Sequence, residues 1–472
     1  MGAAADGGGS AEAVWRSHES PLFVEEQYLG GVGVLDARQA LHLPCTVTDL
    51  SVHGNARTRR QLIEREMQAA LRAKTHQQLA AELQSANARL YDLDVFRKAT
   101  CHVDAGERDE DVTVRVVVEE KGVHTVSTGT FVQEGEGCLE VAWSLRNFAE
   151  NAEQVRMAVS GGFNQSSSVR LDFVRPYIMD TYSLHCSLAQ TSKHVPRPRS
   201  LREIQQALSV TLEQRDGPHA FTYELCSRRL DGVNMASDEA GGDGELTGWK
   251  ATDLASLKSA LRHTYTLDTR NNKQMASSGY LLKSVTEMAG MLGRGADFAR
   301  NETQGQFHAP APGGCILSLY GSLGFLKALG GDVSRYFDRF FLGGPLSLRG
   351  FRSRGVGPVV GAMDEVRSAA GGEAMMMMAA SLSRPLPLPP DLKRLLDARF
   401  QFFANCGNNI SLHGGKSVTS SVAPLVSGAR LAVGMGIVFP TALGRLEVSL
   451  SKPLIYSKED RTAMWGVGLI PE

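Results

Sequence analysis

From residue 123 to the C-terminus, apolar and polar residues alternate along one segment after another. This alternation places the apolar side chains on one face of a β-strand and the polar side chains on the other. The clearest examples are the segments 155–159, 169–173, 182–188, 208–212, 221–225 and 446–450. Glycine makes up 49 of the 472 residues, which fits a chain with many turns. The sequence therefore predicts an all-β structure with roughly sixteen strands.

The apolar face of these strands meets either lipid or a protein core. A membrane-spanning strand needs about 9–11 residues, and transmembrane barrels alternate short turns with long loops. Short links at 175–181 and 441–444 and long inserts at 231–250 and 330–370 fit that pattern. We therefore predict a transmembrane barrel of antiparallel strands, with a large soluble β protein as the alternative. The aromatic content of 7% is low for two aromatic girdles.

The segment 46–122 has a different pattern. A strand-like stretch is followed by two stretches with helical spacing, the first of which contains Leu62, Ile63 and Met67. The second begins at Thr75, a residue type that caps helix N-termini. Two further strand-like stretches complete a βααββ order, which predicts a small α/β domain. Residues 1–45 lack a secretory signal and are expected to be disordered.

Several classes of function are disfavoured by composition and motifs. A net charge of −1 gives no basic surface for nucleic acid. The seven cysteines are widely spaced without a Cys-x-x-Cys pair, which argues against a disulfide framework or a zinc site. No His-Glu-x-x-His or Gly-x-Ser-x-Gly motif occurs. We expect no enzymatic activity, no metal ion and no cofactor.

The stretch RFFLGGPLSLRGF at 339–351 places one arginine just after a glycine-rich bend. It is not a phosphate-binding P-loop, because Phe351 rather than a Lys-Ser/Thr pair follows the arginine and its glycine. Gly343 and Gly344 permit a sharp bend, and Gly350 permits close approach of the backbone to another surface. Taken alone, Arg349 is a solvated loop arginine.

A βααββ unit ahead of such a barrel resembles the BamA superfamily of outer-membrane assembly barrels. In that superfamily, polypeptide-transport-associated (POTRA) domains precede the barrel. The stretch 339–351 is similar to the superfamily's signature loop, whose Arg-Gly-Phe/Tyr tip folds back into the lumen. LDTRNN at 267–272 resembles an element that ends a mid-barrel strand. FFANCGN at 402–408 resembles an element of a later strand, with Asn405 at a position where aspartate is frequent.

The resemblance implies a domain organisation and a set of site residues. It implies a POTRA domain at 46–122 and a barrel at 123–472 whose loop 330–370 folds inward. The implied signature-loop residues are Gly343, Gly344, Leu348, Arg349, Gly350 and Phe351.

The guanidinium of Arg349 then needs a carboxylate inside the barrel. Glu447, on the polar face of the penultimate strand, is the first candidate, and Asp397 is the second. Alternatively, Glu447 only lines a wet lumen together with its neighbour Ser449. Asp268 and Arg270 are either a turn pair that caps a strand end or a gating element.

The resemblance also implies an insertase mechanism. Nascent barrel strands have unpaired edges that lipid does not tolerate. A first strand containing Thr128 and Gly129 and a last strand containing Gly466, Val467 and Gly468 would open as a lateral gate. Glycine in these strands would weaken their pairing.

The mitochondrial branch of the family has one POTRA domain and no cleavable signal, and this chain resembles it. That resemblance implies a multi-pass barrel in the mitochondrial outer membrane with its POTRA domain in the intermembrane space. The implied partners are metaxin-like accessory subunits of the sorting and assembly machinery, β-barrel precursors, intermembrane-space chaperones, an inner-membrane contact-site complex and the lipid bilayer. A plastid-envelope protein-conducting barrel and a passive solute channel are the alternatives.

Overall fold

The protein is described here by a computed structural model. It describes residues 43–106, 108, 110–133, 136–163, 165–178, 181–195, 201–215, 217–231, 255–292, 297–329, 334–360, 368–387, 389, 397–412, 418–441 and 444–470. The predicted disordered segment 1–45 lies almost entirely outside these residues. Most of the insert 231–250 and parts of 330–370 also lie outside them.

The N-terminal unit is a mixed three-stranded sheet covered by two helices. Its elements are β1 (Thr46–His53), α1 (Arg60–Met67), α2 (His76–Asp92), β2 (Phe96–Ala105) and β3 (Asp111–Glu120). The central strand β3 pairs in parallel with β1 and antiparallel with β2. Thr75 caps α2, since its hydroxyl oxygen accepts a hydrogen bond from the Gln78 backbone N–H at 3.2 Å. The predicted βααββ order is confirmed.

The rest of the described chain forms one sheet of sixteen antiparallel strands, a small two-stranded sheet and a helix. In chain order, the elements are β4 (His124–Gln133), β5 (Glu136–Arg146), β6 (Gln154–Gly162), β7 (Ser167–Ile178), β8 (Tyr182–Val195), β9 (Leu201–Gln214), β10 (His219–Asp231), β11 (Ala255–Asp268), β12 (Gly279–Ala289), β13 (Phe298–Ala311), β14 (Cys315–Ala328), β15 (Val359–Val360), β16 (Ser368–Ala369), β17 (Ala374–Pro385), β18 (Arg399–Ile410), α3 (Val418–Ser427), β19 (Arg430–Thr441), β20 (Gly444–Ile455) and β21 (Trp465–Ile470). The two-residue strands β15 and β16 pair only with each other. The predicted barrel of about sixteen strands is therefore confirmed.

The sheet order runs from β4 to β21 without a crossover, so these two strands are its edges. Their Cα atoms approach to within 8 Å of one another. Within the described residues, no strand pairing joins them. We call the line between β4 and β21 the seam.

The two faces of β20 differ as the alternation predicts. Val448 and Leu450 point outward, with 45% and 54% of their surface exposed. Such an outward apolar face suits contact with lipid. Glu447 and Ser449 point inward, with only 1% and 3% exposed. The expectation of a wet lumen is wrong at this position, because the segment 334–360 folds into the barrel and covers both side chains.

The N-terminal unit packs against barrel turns near the first strands. The Tyr177 ring at the end of β7 contacts two guanidinium groups, with its centre 4.2 Å from the Arg65 Cζ and 4.3 Å from the Arg215 Cζ. Thr58 accepts a hydrogen bond from the Asn147 side chain at 2.9 Å. The unit therefore contacts the chain after β5, at the end of β7 and after β9. These positions lie at one mouth of the barrel, on the half formed by the earlier strands. Within the described part of the chain, no helix has the length and apolar character needed to cross a membrane.

Candidate functional site: an inward loop against the last hairpin

The segment 334–360, which we call the inward loop, turns sharply at three glycines. Gly343, Gly344 and Gly350 have φ angles of +119°, +106° and +91°, a region that side-chain-bearing residues rarely adopt. A Cβ added to Gly350 would lie 2.8 Å from the Cβ of Ala432 on β19. Gly350 thus provides both the backbone angle and the space that bring the loop tip against the barrel strands.

Arg349 forms a two-point ion pair with Glu447 on β20. Its Nε donates to Oε1, and its Nη2 donates to Oε2 at 2.9 Å. The guanidinium carbon lies 4.7 Å from the centre of the Phe403 ring, so one face of the cation rests on an aromatic ring. Asp397 lies apart in the turn before β18, with its side chain 56% exposed and 3.9 Å from Arg399. Of the two candidate carboxylates, the structure brings Glu447 to Arg349.

The strand β18 provides the surface on which the inward loop rests. Asn405 donates a hydrogen bond to the Arg349 carbonyl at 3.0 Å, and Asn409 donates to the Phe340 carbonyl at 2.7 Å. A Cβ on Gly407 would lie 3.3 Å from Leu348, so this glycine leaves room for the loop. β18 therefore holds the loop through one inward-facing row of residues. The sequence alone indicates no contact for this row, although the alternation of 403, 405, 407 and 409 marks one strand face.

Leu348 and Phe351 flank the ion pair and are almost completely buried, with 0% and 2% of their surface exposed. Leu348 belongs to an apolar cluster with Leu342, Met375 and Met377. The backbone of Phe351 forms a β-bridge with that of Thr462, just before the last strand. The apolar residues of the signature stretch therefore anchor its charged residue.

The loop tip also covers the inner face of the last strand. A Cβ on Gly466 would lie 3.0 Å from the Pro345 Cβ, and a Cβ on Gly468 would lie 2.4 Å from a methyl carbon of Leu346. Between them, Val467 points outward and is 38% exposed. The two glycines of β21 thus have a packing role beside the weakening of strand pairing that the sequence suggested. By contrast, a Cβ on Gly129 of β4 would meet no atom within 4 Å.

Thr128, like Gly129, lies in β4, which pairs with β5, and Val467 lies in β21, which pairs with β20. These residues therefore border the seam from its two sides.

Asp268 and Arg270 lie elsewhere, at the end of β11. Their side chains form a two-point pair with distances of 2.8 and 2.7 Å, and Arg270 also donates to Gln306 at 3.1 Å. This geometry is that of a turn pair capping a strand end.

Two further ion pairs hold the inward loop on the opposite side of the barrel. Arg354 donates to Glu203 of β9 at 2.7 Å, and Asp338 accepts from Arg228 of β10 at 3.2 Å. Arg228 and Asp338 have only 4% and 3% of their side chains exposed. The loop therefore spans the lumen from β9 and β10 to β20. Sequence reasoning missed these four residues, and the one available signal was the inward position of Arg228 in the alternation of β10.

The class of protein defined here is a sixteen-stranded barrel with an inward, arginine-tipped loop and a small N-terminal α/β unit. A family model described as the Omp85 superfamily domain matches residues 147–469. That match covers more than half of the sequence, and the chain belongs to the Omp85 superfamily.

Similar proteins support this assignment. A SAM50-like protein of Schizosaccharomyces pombe is 27% identical over 466 residues, covering 94% of this chain and 93% of the relative. The sorting and assembly machinery component 50 homolog of Xenopus tropicalis is 29% identical over 421 residues, covering 86% of each chain. The structure of BamA from Haemophilus ducreyi lacking POTRA domains 1–3 superposes with a TM-score of 0.68 at 15% identity, covering 90% of this chain and 84% of that chain. The similarity to this BamA structure shows a shared fold and nothing about function.

Proposed function

We propose that this protein is an insertase that folds β-barrel precursors into the mitochondrial outer membrane. The observation that carries the proposal is the seam between β4 and β21, across which the described residues form no strand pairing, with the inward loop packed on its β21 side. A precursor strand has an unpaired edge that cannot be left in lipid. The free edge of β4 can pair with that strand by β-augmentation while β21 moves aside.

The organisation proposed from the sequence fits this role. Residues 46–122 would form a POTRA domain in the intermembrane space, where precursors arrive, and residues 123–472 would form the barrel. The loop 330–370 would stay attached to β20 while the seam opens. The names of the similar proteins support a place in a sorting and assembly complex, with accessory subunits and precursor clients as partners. The mechanism needs only strand pairing, so it involves no enzymatic step.

Reconstitution tests the proposal directly. Liposomes containing the purified protein should fold an unfolded β-barrel precursor faster than protein-free liposomes of the same lipid composition. The readout is the heat-modifiable gel mobility of the precursor, which distinguishes folded from unfolded barrels. A matched liposome sample contains the Arg349→Ala variant, for which we expect a folded barrel with lower insertase activity. Equal precursor folding with and without the wild-type protein would contradict the proposal.

A further inference from the structure

A cluster of basic and polar side chains lies inside the barrel mouth, away from the N-terminal unit. It consists of Arg270, His308, Arg399, Gln401 and Arg445, which we call the mouth cluster. Arg270 follows β11, Arg399 is the first residue of β18, and Arg445 is the second residue of β20. Among the described residues, the contacts of the N-terminal unit with the barrel lie at the turns of the earlier strands, on the other half of this mouth.

Positive charge exceeds negative charge in this region. Arg445 lies within electrostatic range of Arg349, Arg399 and Glu447, and His308 lies within range of Arg270, Arg399 and Arg445. Two inward carboxylates are already engaged, Asp268 by Arg270 at 2.7 Å and Glu447 by Arg349 and Arg445. A third carboxylate, that of Asp397, lies 3.9 Å from Arg399. The guanidinium groups of Arg270, Arg349, Arg399 and Arg445 against these three carboxylates leave an excess of one positive charge.

Several hydrogen-bonding nitrogens of the cluster are buried without a partner. Within the described part of the chain, the nitrogens without a partner include Nε of Arg399, Nε of Arg445, Nε2 of Gln401 and Nε2 of His308. Gln401 is 1% exposed and His308 is 8% exposed. Gln401 is two positions from Arg399 on β18, so the two side chains share one strand face. Buried polar groups almost always have a hydrogen-bond partner, so several unpaired nitrogens in one part of the lumen point to a missing ligand.

We propose that the mouth cluster binds a phosphate-type oxyanion. Planar guanidinium groups form two-point hydrogen bonds with oxyanions, and an excess of positive charge in a partly desolvated site favours an anion over water. The Arg445 side chain remains 24% exposed, so a ligand can reach its outer nitrogens from the mouth. Arg399 is 11% exposed and already donates to the carbonyls of Ala276 and Met275 at 3.0 and 2.8 Å, so it contributes mainly its charge and its unpaired Nε. The amide nitrogen of Gln401 adds a further donor, and Nε2 of His308 is another in the tautomer whose Nδ1 accepts from the Ser318 hydroxyl. Free phosphate and a lipid headgroup share this chemistry.

The test compares thermal unfolding midpoints of the full-length protein in a phosphate-free detergent solution. Inorganic phosphate, compared with chloride at equal ionic strength, should raise the wild-type midpoint by about 2–4 °C near ten times its dissociation constant. Gln401→Leu removes an unpaired buried amide and should keep or raise the unliganded midpoint, but it should lose much of the phosphate increment. Arg399→Lys keeps the charge without the planar fork and should also bind phosphate more weakly. Arg384→Gln, which changes an exposed arginine outside the cluster, is the matched control and should keep the full increment.

A second arm identifies the source of the anion by replacing phosphate with a short-chain phosphatidic acid. A larger increment with the lipid assigns the site to a headgroup, and an increment with inorganic phosphate alone assigns it to the free ion. General salt exclusion would stabilise every variant equally. Equal increments in wild type and Gln401→Leu, or no increment with either probe, would overturn the proposal.

Discussion

Arg349 and Glu447 are 98 positions apart in the sequence, yet their side chains meet inside the barrel with 2.9 Å between Nη2 and Oε2. Glu447 has 1% of its side chain exposed, so the pair is well shielded from water. Because β20 pairs with the last strand, this contact ties the inward loop to the hairpin that borders the seam. We expect the loop and the hairpin to move as one unit.

The two halves of this ion pair should respond differently to removal. Glu447→Ala leaves Arg349 and Arg445 without their carboxylate, and breaking a buried pair costs about 3–5 kcal/mol. Arg349→Ala should cost less, because the Arg445 Nη2 still lies 3.4 Å from Glu447. The measurement is the free energy of unfolding of the barrel in lipid, with precursor assembly rate as a second readout.

A double-mutant cycle on the same two residues supplies the control. The double variant should be less destabilised than the sum of the two single variants, with a coupling of about 0.5–3 kcal/mol. Strictly additive losses would mean that the two side chains do not share a contact.

The packing of the loop tip on β21 predicts a size limit at Gly468. Gly468→Val should push Leu346 away and loosen the loop tip, since even a Cβ at this glycine would lie 2.4 Å from a Leu346 methyl carbon. A cysteine at Ser347, in a background without native thiols, should then be alkylated several-fold faster. Adding Leu346→Ala should restore slow alkylation.

Gly129 on the other side of the seam is the matched control for Gly468. No atom lies within 4 Å of a Cβ built there, so Gly129→Ala should leave the alkylation rate at Ser347 unchanged. Unchanged alkylation in Gly468→Val as well would argue against contact between the loop tip and β21.

The two faces of β20 predict two different defects for added arginines. Val448→Arg exposes a charge to lipid and should cost about 2–4 kcal/mol near the membrane midplane, whereas Val448→Ile should be neutral. Ser449→Arg should also impair folding, because Ser449 is 3% exposed beneath the loop tip. The folded fraction is measured by heat-modifiable gel mobility. Normal folding of Ser449→Arg would mean that the lumen is open at this position.

The thiol of Cys101 in β2 predicts a pH dependence of alkylation. Burial disfavours the thiolate and raises the pKa of Cys101 from 9.0 to about 11. At pH 8, alkylation of Cys101 should therefore be about a hundredfold slower in the folded protein than in the protein unfolded by urea. The alkylation rate of Cys101 in the folded protein should rise towards pH 11. Relative to high pH, the raised pKa contributes to the free energy of unfolding. This contribution is complete below pH 9 and is lost as the pH rises through 11. Equal alkylation rates in folded and unfolded protein at pH 8 would contradict this assignment.

Local patterns in the sequence predict the strands well. The alternation around Val448 assigns inward and outward faces without any knowledge of the neighbouring strands. Long-range contacts are not visible in this way. Arg228 and Asp338 are 110 positions apart, and Arg354 and Glu203 are 151 apart, so only the folded loop brings them together.

The glycines of β21 also have contacts that the local sequence does not predict. In the sequence, Gly466 and Gly468 indicate only a weakened strand, because nothing local reveals that Pro345 and Leu346 will occupy the space above them. The pairing of Arg349 with Glu447 is predictable from sequence, because the loop resembles a family element and the alternation of β20 places Glu447 on the polar strand face. The roles of Asn405 and Asn409 depend on backbone atoms of the loop, which no sequence pattern specifies.

Entry of precursors through the seam is central to the proposed function. A reversible cross-link between β4 and β21 tests this entry route most directly. Cysteines replace Thr128 and Val467 in a protein lacking its seven native cysteines, with neighbouring positions scanned to find the pair that oxidises fully. We expect the oxidised barrel to stay folded, as judged by heat-modifiable gel mobility, but to insert no precursors into liposomes. Reduction of the cross-link should restore insertion. Normal precursor insertion by a fully cross-linked barrel would contradict the account.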